Sequence, residues 1–442
     1  MNTQRFNLDN RNSYQTSAAC PWATTTTATE NHQQRGAYTS LSHHITVDLL
    51  NLVLGDMNPH AAPGIDKITH EKFRGLAPTE LPMLVQQLRS RRYQCQPSMR
   101  VEIPKSSGVG TRPLGIPCMR DKVIQGAVKA ILEPIYEGEF LSQSYGYRPK
   151  RGCHMALAAL QQRLMASGGG FVIDMDLSKY FDSVPHQALM DFVRIKTKDP
   201  VILHAIWSCL KAGAMVPGKR RGELIYEKST QGTPQGGVIS PLLANIYLHY
   251  VLDDYIDRVI GPDTPGGVHF YRYADDVVCV VEEFDTATRV LDQIAKRVGE
   301  YGLQLNLMKT KILDCRRPDR IVDDFNCDGR NCRFLGYEML WERSRSGAWK
   351  LTSRPAEGKT ETSLEKARVR IRKKAAAGQS VGSIRTSIYS SITGFSNYFF
   401  TEGCEEDVAY YTYEMEKLLG CIRCAGDFDP VDDDLFDSVN WS

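Results

Sequence analysis

The sequence predicts an α/β body followed by an all-helical C-terminal region. Three observations carry that assignment. Gly168-Gly-Gly170 releases a buried apolar strand from Phe171 to Leu177. The apolar runs Val268 to Tyr273 and Val277 to Val281 stand at hairpin spacing. From Glu365 onward the apolar residues follow a helical period alone. With 442 residues and 42% hydrophobic content, the chain has apolar material for two or three cooperating subdomains.

The elements follow in order. Residues 1–43 are polar, carry the run Thr24-Thr-Thr-Thr27 and read as a flexible arm. Ile45, Leu49, Leu50, Val53 and Leu54 share a helical face, and a break from Gly55 to Pro63 separates them from a second helix near Glu80 to Arg91. Arg100 to Pro104 and Arg112 to Pro117, joined by the turn Ser106 to Gly110, read as a hairpin. Helices are expected at Arg120 to Tyr136 and His154 to Met165. Beyond the buried strand, helices at Pro200 to Ala212 and Pro241 to Ile260 bracket a second hairpin, Met215 to Ser229. The stretch Glu342 to Glu361 reads as a linker to a separate helical subdomain.

The net charge of +2 is divided unevenly. Residues 402–442 hold twelve acidic side chains against Lys417 and Arg423, a net of −10, which leaves +12 on residues 1–401. Arg343 to Lys374 contains eleven Lys or Arg against Glu357, Glu361 and Glu365. Within it, Arg368, Arg370, Arg372, Lys373 and Lys374 are the candidates for gripping a nucleic-acid backbone. No apolar run is long enough to span a bilayer and the N-terminus lacks a signal-peptide core, so a soluble, cytoplasmic protein with no membrane partner is expected. The twelve cysteines are scattered singly, as reduced thiols packed among apolar groups would be.

The chemistry is carried by carboxylates. Asp176 ends the buried strand, and Asp275-Asp276 fill the turn between the two apolar strands. Nucleotidyl transfer uses two divalent cations about 4 Å apart, and hard cations need oxygen ligands converging at a sheet edge. Mg2+ is the expected metal, with Mn2+ as a substitute.

Eight blocks then occur in order: Pro63-Gly-Ile-Asp66, Arg112-Pro-Leu-Gly-Ile-Pro117, Ser144-Tyr-Gly-Tyr-Arg-Pro149, Asp176-Leu-Ser-Lys-Tyr-Phe-Asp182, Gly232-Thr-Pro-Gln-Gly-Gly-Val-Ile-Ser-Pro-Leu-Leu-Ala-Asn245, Tyr273-Ala-Asp-Asp276, Asn306 to Lys311, and Phe334-Leu-Gly-Tyr337. Together they resemble the reverse transcriptases of group II introns and their relatives, over roughly Gly64 to Phe400. The resemblance implies a right-hand polymerase: an α/β fingers and palm followed by an α-helical thumb. Fingers would span 44–170, palm 171–341 with part of the fingers inserted, a linker 342–362, thumb 363–401, and an acidic helical extension 402–442.

It also implies roles. Asp176, Asp275 and Asp276 match the metal ligands, whereas Asp174 matches none. Phe181 matches the steric gate that crowds a ribose 2′ hydroxyl. Gln235 and the glycines after it match the loop beneath the templating pair. Arg112 and Lys105 match cations that meet the incoming triphosphate, and Lys309 is a candidate proton donor to pyrophosphate. Tyr398, Tyr410, Tyr411 and Tyr413 are candidate priming hydroxyls, against the plainer reading that they pack the last helices. The implied partners are a structured RNA template, dNTPs and the cDNA product, with a homo-oligomer left open.

Ser363 to Phe400 resembles the family's thumb, after which the likeness ends in Glu402-Gly-Cys-Glu-Glu-Asp407 and an acidic terminus instead of a basic DNA-binding segment. Three roles follow. The first is a free-standing enzyme working with a dedicated noncoding RNA in bacterial antiviral defence, favoured by the acidic tail. The second is an intron maturase lacking the endonuclease. The third is a non-catalytic RNA-binding scaffold on a polymerase fold, disfavoured by the intact carboxylates.

Overall fold

The computed structural model describes residues 36–104, 110–220, 222–323 and 325–424, with side chains of the last helix described through residue 419. The chain divides into two units, one built on residues 36–160 and 171–312 and the other on 161–170 and the chain from 313 onward.

The first unit opens with α1 (Val47–Asp56), started by the Thr46 side chain accepting from the Leu49 N–H and burying Leu49, Leu50, Val53 and Leu54. Helix α2 (His70–Arg89) begins well before the expected Glu80. Thr69 caps it, and Phe73, Ala77, Leu81, Leu84, Val85 and Leu88 make one buried stripe that carries the chain through Pro78 and Pro82. The expected hairpin forms as β1 (Ser98–Pro104) and β2 (Thr111–Ile116), pairing Ile103 with Arg112. Helix α3 (Met119–Glu137) is buried on nearly every side. After α4 (Cys153–Ser167) come β3 (Phe171–Asp176), the short α5 (Tyr180–Ser183), α6 (His186–Lys196) and α7 (Pro200–Lys211). Next come β4 (Ala214–Pro217), β5 (Leu224–Glu227) and α8 (Ser240–Leu248), which continues into π turns at His249–Asp253 and Ile256–Ile260. The unit closes with β6 (His269–Tyr273), β7 (Asp276–Val281), α9 (Phe284–Glu300) and β8 (Lys311–Asp314), on which the chain leaves it. The strands form two sheets, ordered β2-β1-β4-β5 and β6-β7-β3-β8.

Residues 36–43, the end of the segment expected to be a flexible arm, are fastened to this unit, while residues 1–35 lie outside the described residues. The Tyr38 N–H donates to the Lys196 carbonyl at 2.9 Å, and the Lys198 N–H returns to the Tyr38 carbonyl at 2.7 Å. One oxygen of buried Asp199 accepts from the Leu41 and Ser42 N–H groups at 2.7 and 2.8 Å. Its other oxygen accepts from Val201 and Ile202 at the start of α7. Leu41 is buried beside it. A polar composition concealed this anchor because a single carboxylate and a single leucine supply it.

In the second unit, residues 342–362 are not a linker. β9 (Cys332–Phe334), β10 (Tyr337–Arg343) and β11 (Trp349–Pro355) form a sheet ordered β11-β10-β9, and the pair Arg343–Trp349 closes the hairpin at Gly347, whose φ is 81°. Leu351, Ser353 and Pro355 alternate inward with period two, while Arg354 between them and Arg343 and Arg345 by the turn are exposed and gave the segment its charged appearance. Three helices follow: α10 (Lys359–Ala376), α11 (Val381–Tyr398) and α12 (Glu405–Cys424). Leu364, Ala367, Ile371, Ile384, Ile388, Phe395, Met415 and Leu418 are buried among them. Among the described residues, no helix is long and apolar enough to cross a membrane.

Candidate active site

The site grows from the centre of the sheet. Phe171, Val172, Ile173 and Met175 on β3 and Val277 to Val281 on β7 are buried, so these strands are a rigid apolar frame. Their antiparallel register sets Asp176 opposite Asp276, and Tyr273 on β6 pairs with the same Asp276. Asp275 therefore sits in a two-residue turn with Ala274, which takes the left-handed conformation at φ 59°. Three carboxylates from two remote stretches of sequence thus meet at one sheet edge.

The loop before β8 folds back on this edge. The Asn306 N–H donates to the Asp176 carbonyl at 2.7 Å, and the Ser178 N–H to the Gln304 carbonyl at 2.8 Å. The ammonium of Lys309, itself well exposed, stands 3.4 Å from both Asp176 carboxylate oxygens.

The electrostatics describe a cluster short of positive charge. Lost hydration, then the charges of Asp275, Asp174 and Asp176, push the Asp276 carboxyl up to about 7, with Lys309 opposing. Burial and Asp176 raise Asp275, while Arg112 and Arg272 pull it down. Burial raises Asp174 to about 6, with Asp176 adding to it. Mutual repulsion of this kind is relieved by divalent cations bound through hard oxygen ligands, so the donor set fits Mg2+ or Mn2+. Among the described residues no group of three or more His, Cys, Asp or Glu side chains already stands at metal-holding geometry. Asp174 belongs to the cluster although no motif assigns it. Its signal was the Asp-x-Asp spacing on β3, which puts both side chains on one face of the sheet.

The surrounding loops are fastened to the same frame. Tyr180 is buried and donates to the Ala244 carbonyl at 2.6 Å. Half-buried Phe181 lies edge-on to its ring at 5.4 Å. The Phe181 carbonyl accepts from the Thr233 N–H at 2.7 Å, and the Gln235 carbonyl accepts from the Gly115 N–H at 2.6 Å. Gly236, at φ 102°, approaches so closely that a Cβ there would stand 2.5 Å from the Gly115 carbonyl oxygen. The loop holding Gln235 is thereby joined to β2, which carries Arg112, and to α5, which carries Phe181. Lys105 lies outside the described residues.

A second group escaped the sequence reading. Arg272, fully buried, donates from Nε and Nη2 to both carboxylate oxygens of buried Asp253, at 2.7 and 2.6 Å. Its Nη1 donates to the Asn245 side-chain oxygen at 2.9 Å and to the Ala274 carbonyl at 3.0 Å. The sequence cue was a lone arginine inside an apolar strand.

Residues 103–339 match the family model described as reverse transcriptase (RNA-dependent DNA polymerase). The chain belongs to the reverse transcriptase family. It is 34% identical to protein YkfC of Escherichia coli K12, over 66% of this chain and 79% of that protein. It is 39% identical to the group II intron-encoded protein LtrA of Lactococcus lactis subsp. cremoris, over 41% of this chain and 29% of the relative. A 91 kDa protein in the cob intron of Schizosaccharomyces pombe is 36% identical over 42% of this chain and 22% of its own length. The chain thus spans most of the first relative and under a third of the other two. This group II intron-like reverse transcriptase is an RNA-directed DNA polymerase with a palm and fingers fold, taking an RNA template and dNTPs.

The remaining sequence-derived residues of the reverse transcriptase lie in its second unit. Arg368 donates to Glu414 at 2.9 Å, Arg370 to the Ser391 hydroxyl and Lys374 to the Ser387 hydroxyl, so all three bind α10 to its neighbouring helices. Lys373 is exposed and Arg372 half-buried. Tyr398 donates to the Leu335 carbonyl at 2.7 Å, and buried Tyr411 stacks on Phe395 with ring centroids 4.0 Å apart. Tyr410 and Tyr413 are exposed, the latter under the Lys417 ammonium.

Proposed function

We propose that Asp176, Asp275 and Asp276 hold two divalent cations, Mg2+ or in its place Mn2+, at which this chain extends DNA on an RNA template. The observation that carries the reading is the register pairing Asp176 with Asp276, with Asp275 in the adjoining turn. Bound there, the cations would lower the pKa of the attacking 3′ hydroxyl and neutralise the triphosphate. The chain's own groups do the rest. Asp176, tethered through its backbone to Asn306, keeps its carboxylate facing the turn. Lys309 brings a proton-bearing ammonium to the same edge, available to the leaving pyrophosphate. Arg112 supplies a guanidinium for the triphosphate. Phe181 crowds the sugar, and the Gln235 loop gives a base close access to backbone. The helices after residue 359 serve as the thumb, with exposed Lys373 as a cation for a phosphate backbone.

Primer extension beside filter binding tests the metal assignment. Asp275→Ala should abolish synthesis and keep RNA binding; undiminished synthesis by the purified variant would refute it.

For biological role, the acidic C-terminal charge favours a free-standing enzyme with a dedicated structured RNA in antiviral defence. Likeness to an intron-encoded protein favours an intron maturase. The intact carboxylate cluster speaks against a non-catalytic scaffold. Sequencing the RNA that copurifies with the protein separates them: one short noncoding RNA supports the first, an excised intron the second.

A further inference from the structure

The turn bearing Asp275 and Asp276 is held from behind by residues that no metal or nucleotide role requires. Ala274 occupies left-handed backbone without being glycine, a conformation that persists only where surrounding contacts over-determine it. Three contacts do so. The Arg272 guanidinium bonds the Ala274 carbonyl, the Asn245 side-chain oxygen and both oxygens of Asp253. The Asn245 side-chain nitrogen donates to the Gly146 carbonyl at 2.7 Å. Gly146 in turn presses on the turn from the other side, where a Cβ would stand 2.3 Å from the Ala274 nitrogen. The Arg272 backbone is tied to the same segment, donating to the Gln143 carbonyl at 2.9 Å and accepting from the Tyr145 N–H at 2.8 Å.

We propose that Arg272, Asn245 and Gly146 form a clamp that fixes the Ala274 peptide, and through it the spacing of the Asp275 and Asp276 carboxylates from Asp176. All three are positioning residues. Asn245 is the coupling piece, because its amide accepts from the arginine with one end and donates to the glycine segment with the other. Arg272 and Asp253 are both fully buried, so their bidentate pair gives the guanidinium one orientation and aims Nη1 at the turn. The clamp rests on the reading that Asp275 and Asp276 are metal ligands.

The tests use the full chain with Gly146→Ala, Asn245→Asp and an Asp275→Ala control. Gly146 has ordinary backbone geometry, so alanine perturbs it only by pushing on Ala274. Asn245→Asp keeps an oxygen for Arg272 and removes the donor to Gly146. Displacing reacting groups by an ångström costs on the order of 100-fold in rate, so kcat should fall by about that factor in Gly146→Ala. KM for dNTP and RNA affinity should stay unchanged, and the Mg2+ concentration for half-maximal rate should rise. Alanine at 146 must displace backbone and Asn245→Asp leaves the Gly146 carbonyl unpaired, so both variants should melt below wild type without metal. Independently of turnover, the further upward shift in melting temperature that Mg2+ gives the wild type should shrink in both. An unchanged Mg2+ requirement and Mg2+-induced shift in both variants would overturn the clamp, as would activity lost only in proportion to protein unfolded. Synthesis retained by Asp275→Ala would instead overturn the ligand assignment beneath it.

Discussion

Removing the charge of Asp276 separates what that carboxylate does for chemistry from what it does to the fold. Its carboxyl is raised to about 7 by lost hydration and by Asp275, Asp174 and Asp176. A carboxyl whose folded pKa exceeds its unfolded value binds more protons in the folded state, so stability falls as pH rises between the unfolded value near about 4 and the folded one. Asp276 is exposed at the strand end and solvent screens part of this repulsion, so Asp276→Asn should raise the melting temperature of metal-free protein slightly at pH 8 and leave it almost unchanged at pH 4, while primer extension is lost. A lower melting temperature at pH 8 would contradict this charge balance. Phe181 makes a separate prediction at the same scale. Steric discrimination by a side chain is typically worth about 10- to 100-fold, so Phe181→Ala should weaken the preference for dNTPs over NTPs by that order, measured as a ratio of kcat/KM. A wild type that uses both sets equally would remove the gate. The three carboxylates proposed as ligands were legible because each sits in a contiguous block beside an apolar strand. Asp174, Arg272 and Asn245 were not, although Asn245 ends a block and Arg272 adjoins one, because no local pattern records that Asp174 adds its charge to Asp276 or that Arg272 bonds Asp253 and Asn245.

At the scale of elements, Asp199 joins the N-terminal segment to α7. Burial alone would raise its carboxyl, but hydrogen bonds from the Ser42, Leu41 and Val201 N–H groups hold it below the ordinary carboxylate range. A depressed carboxylate contributes its stability above the unfolded pKa and loses it as pH falls through the folded one. Loss of a cap costs about 0.5–2 kcal/mol and loss of a hydrogen bond to a charged group about 1.5–3 kcal/mol, so Asp199→Ala should destabilise by a few kcal/mol at neutral pH. The difference should narrow in acid. Urea titrations at pH 7 and pH 3 check it, and limited proteolysis should cut the variant near Tyr38. Equal stability of variant and wild type at pH 7 would show that the segment is held by something else. Period and capping made most elements readable, including the three hairpins of the first unit. The hairpin of β10 and β11 was misread because its outward face is cationic, and α2 was read short because its two prolines obscured a stripe that tertiary packing sustains.

Across the whole molecule the charge is asymmetric, with −10 on residues 402–442 against +12 on residues 1–401. Residues 427–442 lie outside the described residues, and they carry Asp427, Asp429, Asp432, Asp433, Asp434 and Asp437. Truncation after Gly426 should tighten RNA binding most at low salt, since attraction between exposed charges is screened beyond about 8 Å at physiological ionic strength. Affinity that does not change across a salt series would make the tail a bystander, and a smaller mass by light scattering would make it an assembly contact. Sequence by itself determined the family, the order of the palm and fingers elements and the identity of the three carboxylates. These are written locally, in periodicity and in contiguous blocks. Only the tertiary structure decided that Asp176 faces Asp276, that Asp174 joins their repulsion, and that Arg272, Asn245 and Gly146 close on one peptide. Strand register and buried hydrogen bonds join residues a hundred and more positions apart, and no local pattern records which distant partner a polar group will find.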